Sequence, residues 1–226
     1  MKGPTSSDKR LRLFENPWLE KLTVISVGWF MAIWSIGLIW LGVSAWGSAP
    51  VASVLPLIVF GWFLFTALEY VAHRFLFHLK PRSDLMAKIV FVMHGNHHMQ
   101  PMDKLRSLMP PIVSLPIGYA VASLLSLAFG VWSQWMLFGF VLGYVAYDLT
   151  HYASHHWPMR SSFAKRFKRH HLLHHFLSED ANYAVTGLFW DSLMGTKAQL
   201  GKGKRIERPV HRPVHPVVEE AVEPAE

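Results

Sequence analysis

Two long stretches of the chain carry no Asp, Glu, Lys or Arg: Leu22 to Leu68 and Ser107 to Tyr147. Each is long enough for two membrane crossings of about 20 residues. Turn signals divide them. GSAP, Gly47 to Pro50, splits the first into helices near Thr23 to Trp46 and Val51 to Tyr70. The second breaks near Gly130 to Ser133, giving helices near Met109 to Phe129 and Trp132 to Tyr147. Pro110, Pro111 and Pro116 fall at the start of the third helix, where a missing backbone donor matters least. The fourth is short of apolar residues and is expected to run past the membrane face into polar sequence.

Charge then orients these spans. Every Lys and Arg lies before Leu22, between Arg74 and Arg106, or after Asp148. Four crossings put all three regions on one side, and the cytosolic bias of Lys and Arg names that side. A secretory leader is the competing reading of the first span, but its apolar run is too long for one. After Gly201 the chain is rich in Pro and charge and reads as a disordered tail, which leaves His211 and His215 without a ligand. The expected organisation is a basic cytosolic segment over 1–22, a four-span domain over 23–200 and the tail over 201–226. The expected fold is an all-α integral membrane protein whose four transmembrane helices carry a cytosolic helical cap.

Composition agrees. Hydrophobic residues make up 51% and charged ones 16%, against about 25% charged in a soluble domain. The net charge of +7 sits beside a membrane, so it does not call for nucleic acid. With no cysteine, disulfides, thiolate metal sites and cysteine nucleophiles are excluded. Lys104 and Arg106 are read as solvated or facing lipid phosphate.

Twelve of the 14 histidines fall in four clusters: HRFLFH from His73, HGNHH from His94, HYASHH from His151 and HHLLHH from His170. Spacings of three and four put side chains on one helical face. That joins His94 with His97 and His98, His151 with His155, and His171 with His174 and His175. His73 and His78 stand five apart, about 140° on an α-helix, a spacing better suited to two ions than one. The first and third clusters begin where the second and fourth spans end, so all four can meet at the cytosolic face. Ten ligands suit two ions with about five each.

His156 and His170 are surplus to these faces and are expected to hydrogen-bond around the ligands. Glu69 and Asp148, which close the apolar runs, are candidate acceptors for the outer N–H of a ligating imidazole, or else mark the membrane boundary. No H-E-x-x-H zinc hydrolase motif is present. An all-imidazole, uncharged ligand set points to a redox metal that binds dioxygen, iron foremost.

HRFLFH, HGNHH, HYASHH and HLLHH, with the later NYAVTGLFWDSLMGT, resemble the histidine boxes of the fatty acid hydroxylase and sterol desaturase superfamily of membrane di-iron enzymes. HGNHHMQPMDKLRSLMPP is similar to the fatty acid 2-hydroxylase branch. The resemblance covers about Glu69 to Thr196. It implies one metal on His73, His94, His97, His171 and His174, and the other on His78, His98, His151, His155 and His175. It further implies two Fe ions, which Zn can replace on purification, and dioxygen as co-substrate. The implied reaction hydroxylates carbon 2 of a long acyl chain, free or in a sphingolipid, with electrons from a separate carrier: a b-type cytochrome, or a ferredoxin with its reductase. The segment Asn182 to Thr196 is expected to pack on the bundle and close the site. The implied location is the bacterial inner membrane or the endoplasmic reticulum, with the site facing the cytosol. A desaturase or other lipid or sterol oxygenase of the same metal class is the nearest alternative. A zinc membrane hydrolase or a metal carrier is a more distant one.

Overall fold

The computed structural model describes residues 10–198, and all regular structure among them is helical. In chain order the helices are α1 (Pro17–Leu22), α2 (Val27–Ala45), α3 (Val51–Ala72), α4 (Asp84–Val90), α5 (Asn96–Met99), α6 (Pro111–Phe129), α7 (Ser133–His156), α8 (Ser162–Phe176) and α9 (Phe189–Leu193). The proline-rich tail, with His211 and His215, lies outside the described residues.

Three continuous helical stretches are long and apolar enough to cross a membrane: Val27–Ala45, Val51–Phe77 and Pro111–His156. The last runs for 46 residues and folds back on itself at Gly130, whose φ of 56° a side chain would resist. The resulting α6 and α7 are antiparallel. Near one end of the pair, Asp148 accepts from the Met109 N–H at 3.1 Å, while Leu125 and Met136 share a core cluster near the other. Pro110 and Pro111 open α6, but Pro116 lies in its interior, beyond the first turn where it was expected. As the polar end of the fourth span suggested, α7 continues to His156.

Helix α7 is the centre of the bundle, packing on α2, α3, α6 and α8. Its contact with α3 is a backbone contact. A Cβ on Gly61 would stand 1.9 Å from the Met136 carbonyl oxygen, and one on Gly139 would stand 2.0 Å from that of Ile58. Small residues allow this approach where dispersion, not water, drives helices together. Above the crossing, Phe65, Phe140, Tyr144 and Trp34 interlock edge to face, with Trp34 and Tyr144 at 4.9 Å and Phe65 and Phe140 at 5.3 Å. The outward faces stay apolar, as Trp29, Ile36, Leu55 and Leu127 illustrate. The crossing thus fixes the two helices that end in the first and third histidine clusters.

The N-terminal segment folds onto the loop before α6. Arg106 is not a solvated cation: its guanidinium is buried, ion-paired with Glu20 and bonded to the Leu11 carbonyl. The expectation from charge alone missed this because Glu20 lies 86 residues away in sequence.

Candidate metal centre

At the end of α3 the helix widens into a π-turn over His73–Phe77, and the His78 N–H donates to the His73 carbonyl at 3.1 Å. This i to i+5 closure turns two histidines five apart onto one side, where an α-helix would separate them. A second π-turn, Phe91–Gly95, links α4 to α5 and delivers His94, His97 and His98. Asn96 holds it by donating to the Phe91 and Val92 carbonyls. His151 and His155 sit one turn apart on α7, and His171, His174 and His175 on α8.

The ten histidines converge in two groups, in each of which one ring nitrogen per residue lies within 4.8 Å of the others. One group is His73, His78, His94, His98 and His174; the other is His97, His151, His155, His171 and His175. This division differs from the one the family resemblance implied: His97 and His171 trade places with His78 and His98. The geometry explains the difference. One group contains the π-turn pair His73 and His78 and the i, i+4 pair His94 and His98. The other contains the i, i+4 pairs His151 with His155 and His171 with His175. His174 and His97 each point the other way from their own helix and complete the opposite group. The groups are neighbours, since His98 and His175 stack at 4.1 Å.

The donor set fits a metal. Within the groups, Nε2 atoms face each other at 2.9 to 3.1 Å, as in His73 with His94 and His155 with His171. Two nitrogens bonded at about 2.1 Å to one ion at a right angle stand about 3.0 Å apart. Both ring nitrogens of His97 and His175, and Nε2 of His151, are buried with no hydrogen-bond partner, a state that polar atoms rarely keep without a ligand. Burial, ahead of repulsion between neighbouring imidazoles, holds His94, His97, His171, His174 and His175 well below the ordinary histidine range and brings His78 to about 4. Neutral imidazole is the form that binds metal.

Three of the outer N–H groups go to backbone, and Nδ1 of His98 faces the Glu179 carboxylate at 3.5 Å. Nδ1 of His73 donates to the Tyr183 carbonyl, Nδ1 of His174 to Ala181 at 2.8 Å and Nδ1 of His151 to Ser107 at 2.9 Å. Each bond leaves Nε2 free for an ion. Glu69 and Asp148 act elsewhere. Glu69 accepts from the Val185 and Thr186 N–H groups and from the Thr186 hydroxyl, and Asp148 from Met109 N–H. Glu69 thus reaches His73 only through the loop whose carbonyls orient the histidines.

His156 and His170 lie outside both groups: Nε2 of His156 meets the Ser107 hydroxyl at 2.9 Å, and Nε2 of His170 meets Asp191 at 2.9 Å. Sequence reasoning assigned Asp191 no bond. It also accepts from the Tyr183 and Ala184 N–H groups and the Thr196 hydroxyl, clamping the same loop as Glu69. Its signal was visible, because it is the one acidic residue between Ala181 and Ala198. Asn182, with a φ of 56°, closes the clamp by donating to the His170 carbonyl. Of the segment Asn182 to Thr196, only α9 is helical, and it packs on α3, where Trp190 donates to Thr66 at 3.1 Å.

Fold and donor set together define a helical protein with three membrane-capable stretches and two adjoining histidine groups that could each hold a metal ion. Residues 58–196 match the family described as fatty acid hydroxylase. A dihydroceramide fatty acyl 2-hydroxylase of Arabidopsis thaliana is 33% identical over 85% of this chain and 82% of its own length. The fatty acid 2-hydroxylase of Homo sapiens is 39% identical over 62% of this chain and 39% of its own. The structure of full-length scs7p, in which only the hydroxylase domain is visible, superposes with a TM-score of 0.77 at 30% identity, covering 86% of this chain and 74% of that one. The chain belongs to the fatty acid hydroxylase family.

Proposed function

We propose that this protein is a four-span membrane oxygenase that places a hydroxyl on carbon 2 of a long-chain acyl group, free or within a sphingolipid. The observation that carries the proposal is the pair of five-histidine groups at the ends of α3 and α7. Two iron ions held there would supply dioxygen reduction and the oxidising power for C–H cleavage. The overall reaction consumes O2, two electrons and two protons; one oxygen atom enters the product and the other leaves as water. The electrons are assigned to a separate carrier, a b-type cytochrome or a ferredoxin with its reductase.

The chain's own residues act by orientation and exclusion. The Ala181, Tyr183 and Ser107 carbonyls hold His174, His73 and His151 in one tautomer. The loop clamped by Glu69 and Asp191 packs Tyr183 against His73, His78 and His174 and so helps to bury that group. A lipid entering from the bilayer keeps its polar end at the interface, since burying an unpaired carboxyl or amide costs several kcal/mol. The histidine groups follow directly on the apolar stretches, so the carbons next to the headgroup are those within reach. The relatives named as 2-hydroxylases support the same position.

The test is mass spectrometry of lipids from a host expressing the protein with a suitable electron carrier. One added oxygen at carbon 2 is expected, together with two ions per chain and iron in active preparations. A mid-chain double bond or terminal hydroxyl would overturn the position, and a single ion at saturation would overturn the dinuclear reading.

A further inference from the structure

Helix α8 has two chemical faces. One carries His171, His174 and His175 into the metal groups; the other presents Lys165, Arg166 and Arg169, at positions i, i+1 and i+4, to solvent. Between that second face and the chain from Asn182 to Ala198 lies a groove of about 740 Å³. Lys165, Arg166, Arg169 and Lys197 line it beside the apolar Leu188 and Phe189, and among the described residues no Asp or Glu does. None of the four cations has a hydrogen bond or ion pair among the described residues. The one carboxylate close by, Asp191, is fully buried and already bonded to Tyr183, Ala184, Thr196 and His170.

The level of the groove follows from α9. Phe189 stacks on Phe63 at 6.4 Å and 11°, and Phe63 stands ten residues before His73 on α3, about 15 Å down its axis. On the reading of α3 as a membrane span, on which this inference rests, Phe189 lies among the acyl chains, while α8 with its cations stays with the histidine groups at the interface. Phe189, Leu193 and Met194 are exposed at 50%, 68% and 47%. An apolar wall at the level of acyl chains, facing unpaired cations, has the chemistry of a lipid headgroup site.

We infer that this groove binds the phosphate headgroup of an anionic membrane lipid, with its acyl chains against Leu188 and Phe189. The mixed lining favours a lipid over an acidic protein, which would need no apolar slot reaching down among the acyl chains. The cations repel one another while the groove is empty, so binding should stabilise the α8–α9 contact and, through His170 and Asp191, the loop over the metal groups.

The test uses the full chain in nanodiscs of phosphatidylcholine with or without phosphatidylglycerol. Native mass spectrometry is expected to find phosphatidylglycerol retained, and thermal scans are expected to show a higher Tm with it. In the triple variant Lys165→Ala, Arg166→Ala, Arg169→Ala, retention should fall roughly 100-fold, from about tenfold or less per cation lost. The Tm in pure phosphatidylcholine and the metal content should stay as in the parent. Inorganic phosphate should give no Tm shift, which separates a lipid from a free anion. If the triple variant fails to fold, single Arg166→Ala and Arg169→Ala variants should each lower retention several-fold. Equal retention by parent and variants, an equal shift with inorganic phosphate, or variants that lose only the response to an acidic electron carrier would each overturn the inference. A chain that stays dispersed without lipid or detergent would instead overturn the membrane reading beneath it.

Discussion

The His78 N–H donates to the His73 carbonyl across five residues, at 3.1 Å, and this one bond decides which histidines share a site. It aligns the two rings, whose centroids stand 5.0 Å apart. The double variant His73→Ala, His78→Ala should therefore remove one ion per chain and leave the other. Metal analysis reading zero would show that the two residues serve different ions.

Glu69 holds the loop that orients two ligands. In Glu69→Gln the amide oxygen can keep the Val185 and Thr186 N–H bonds and the amide nitrogen can donate to the Thr186 hydroxyl, so bonds to a charged acceptor become neutral ones, at about 1 kcal/mol. The variant should melt lower in detergent and lose metal to a chelator about 10- to 100-fold more readily. An unchanged chelation curve would reduce Glu69 to a membrane-boundary residue.

Gly61 and Gly139 set the distance between the helices that end in the first and third clusters. Gly61→Ala places a Cβ against the Met136 carbonyl and should cost roughly 1–3 kcal/mol as α3 and α7 are forced apart. Turnover should fall with it, since one group draws ligands from the end of α3 and its neighbour draws ligands from the end of α7. Gly118→Ala, with nothing within 4 Å of the added carbon, is the control and should leave Tm and turnover unchanged.

The buried imidazoles make metal retention and folding sensitive to acid. His78 is held at about 4 against an ordinary 6.5, and His94, His97, His171, His174 and His175 are held lower than ordinary in the same sense. A depressed folded pKa means that the unfolded chain takes up protons first. Stability is therefore complete above about 6.5 and declines as pH falls from there toward 4, the neutral-to-cation change also expelling metal. A metal-release curve with its midpoint above pH 7, or none down to pH 4, would contradict this assignment.

The sequence by itself determined the apolar stretches, the turn at Gly130, the continuation of α7 into polar residues and the ten histidines. Each follows from local composition and helical spacing, which neighbouring residues decide among themselves. It could not determine how those ten divide. Spacing reports angles on an ideal α-helix, and the π-turns at His73–Phe77 and Phe91–Gly95 change those angles. The partners of the outer imidazole N–H groups were equally hidden. Glu69 and Asp148 were the visible candidates, but the acceptors for His73, His151 and His174 are carbonyls, which every residue possesses and only the path of the chain can aim. Arg106 makes the same point, because a cation near a membrane reads as solvated until folding brings Glu20 beside it. What tertiary structure added was the pairing of groups far apart in sequence, which burial enforces because an unpartnered polar group there is costly.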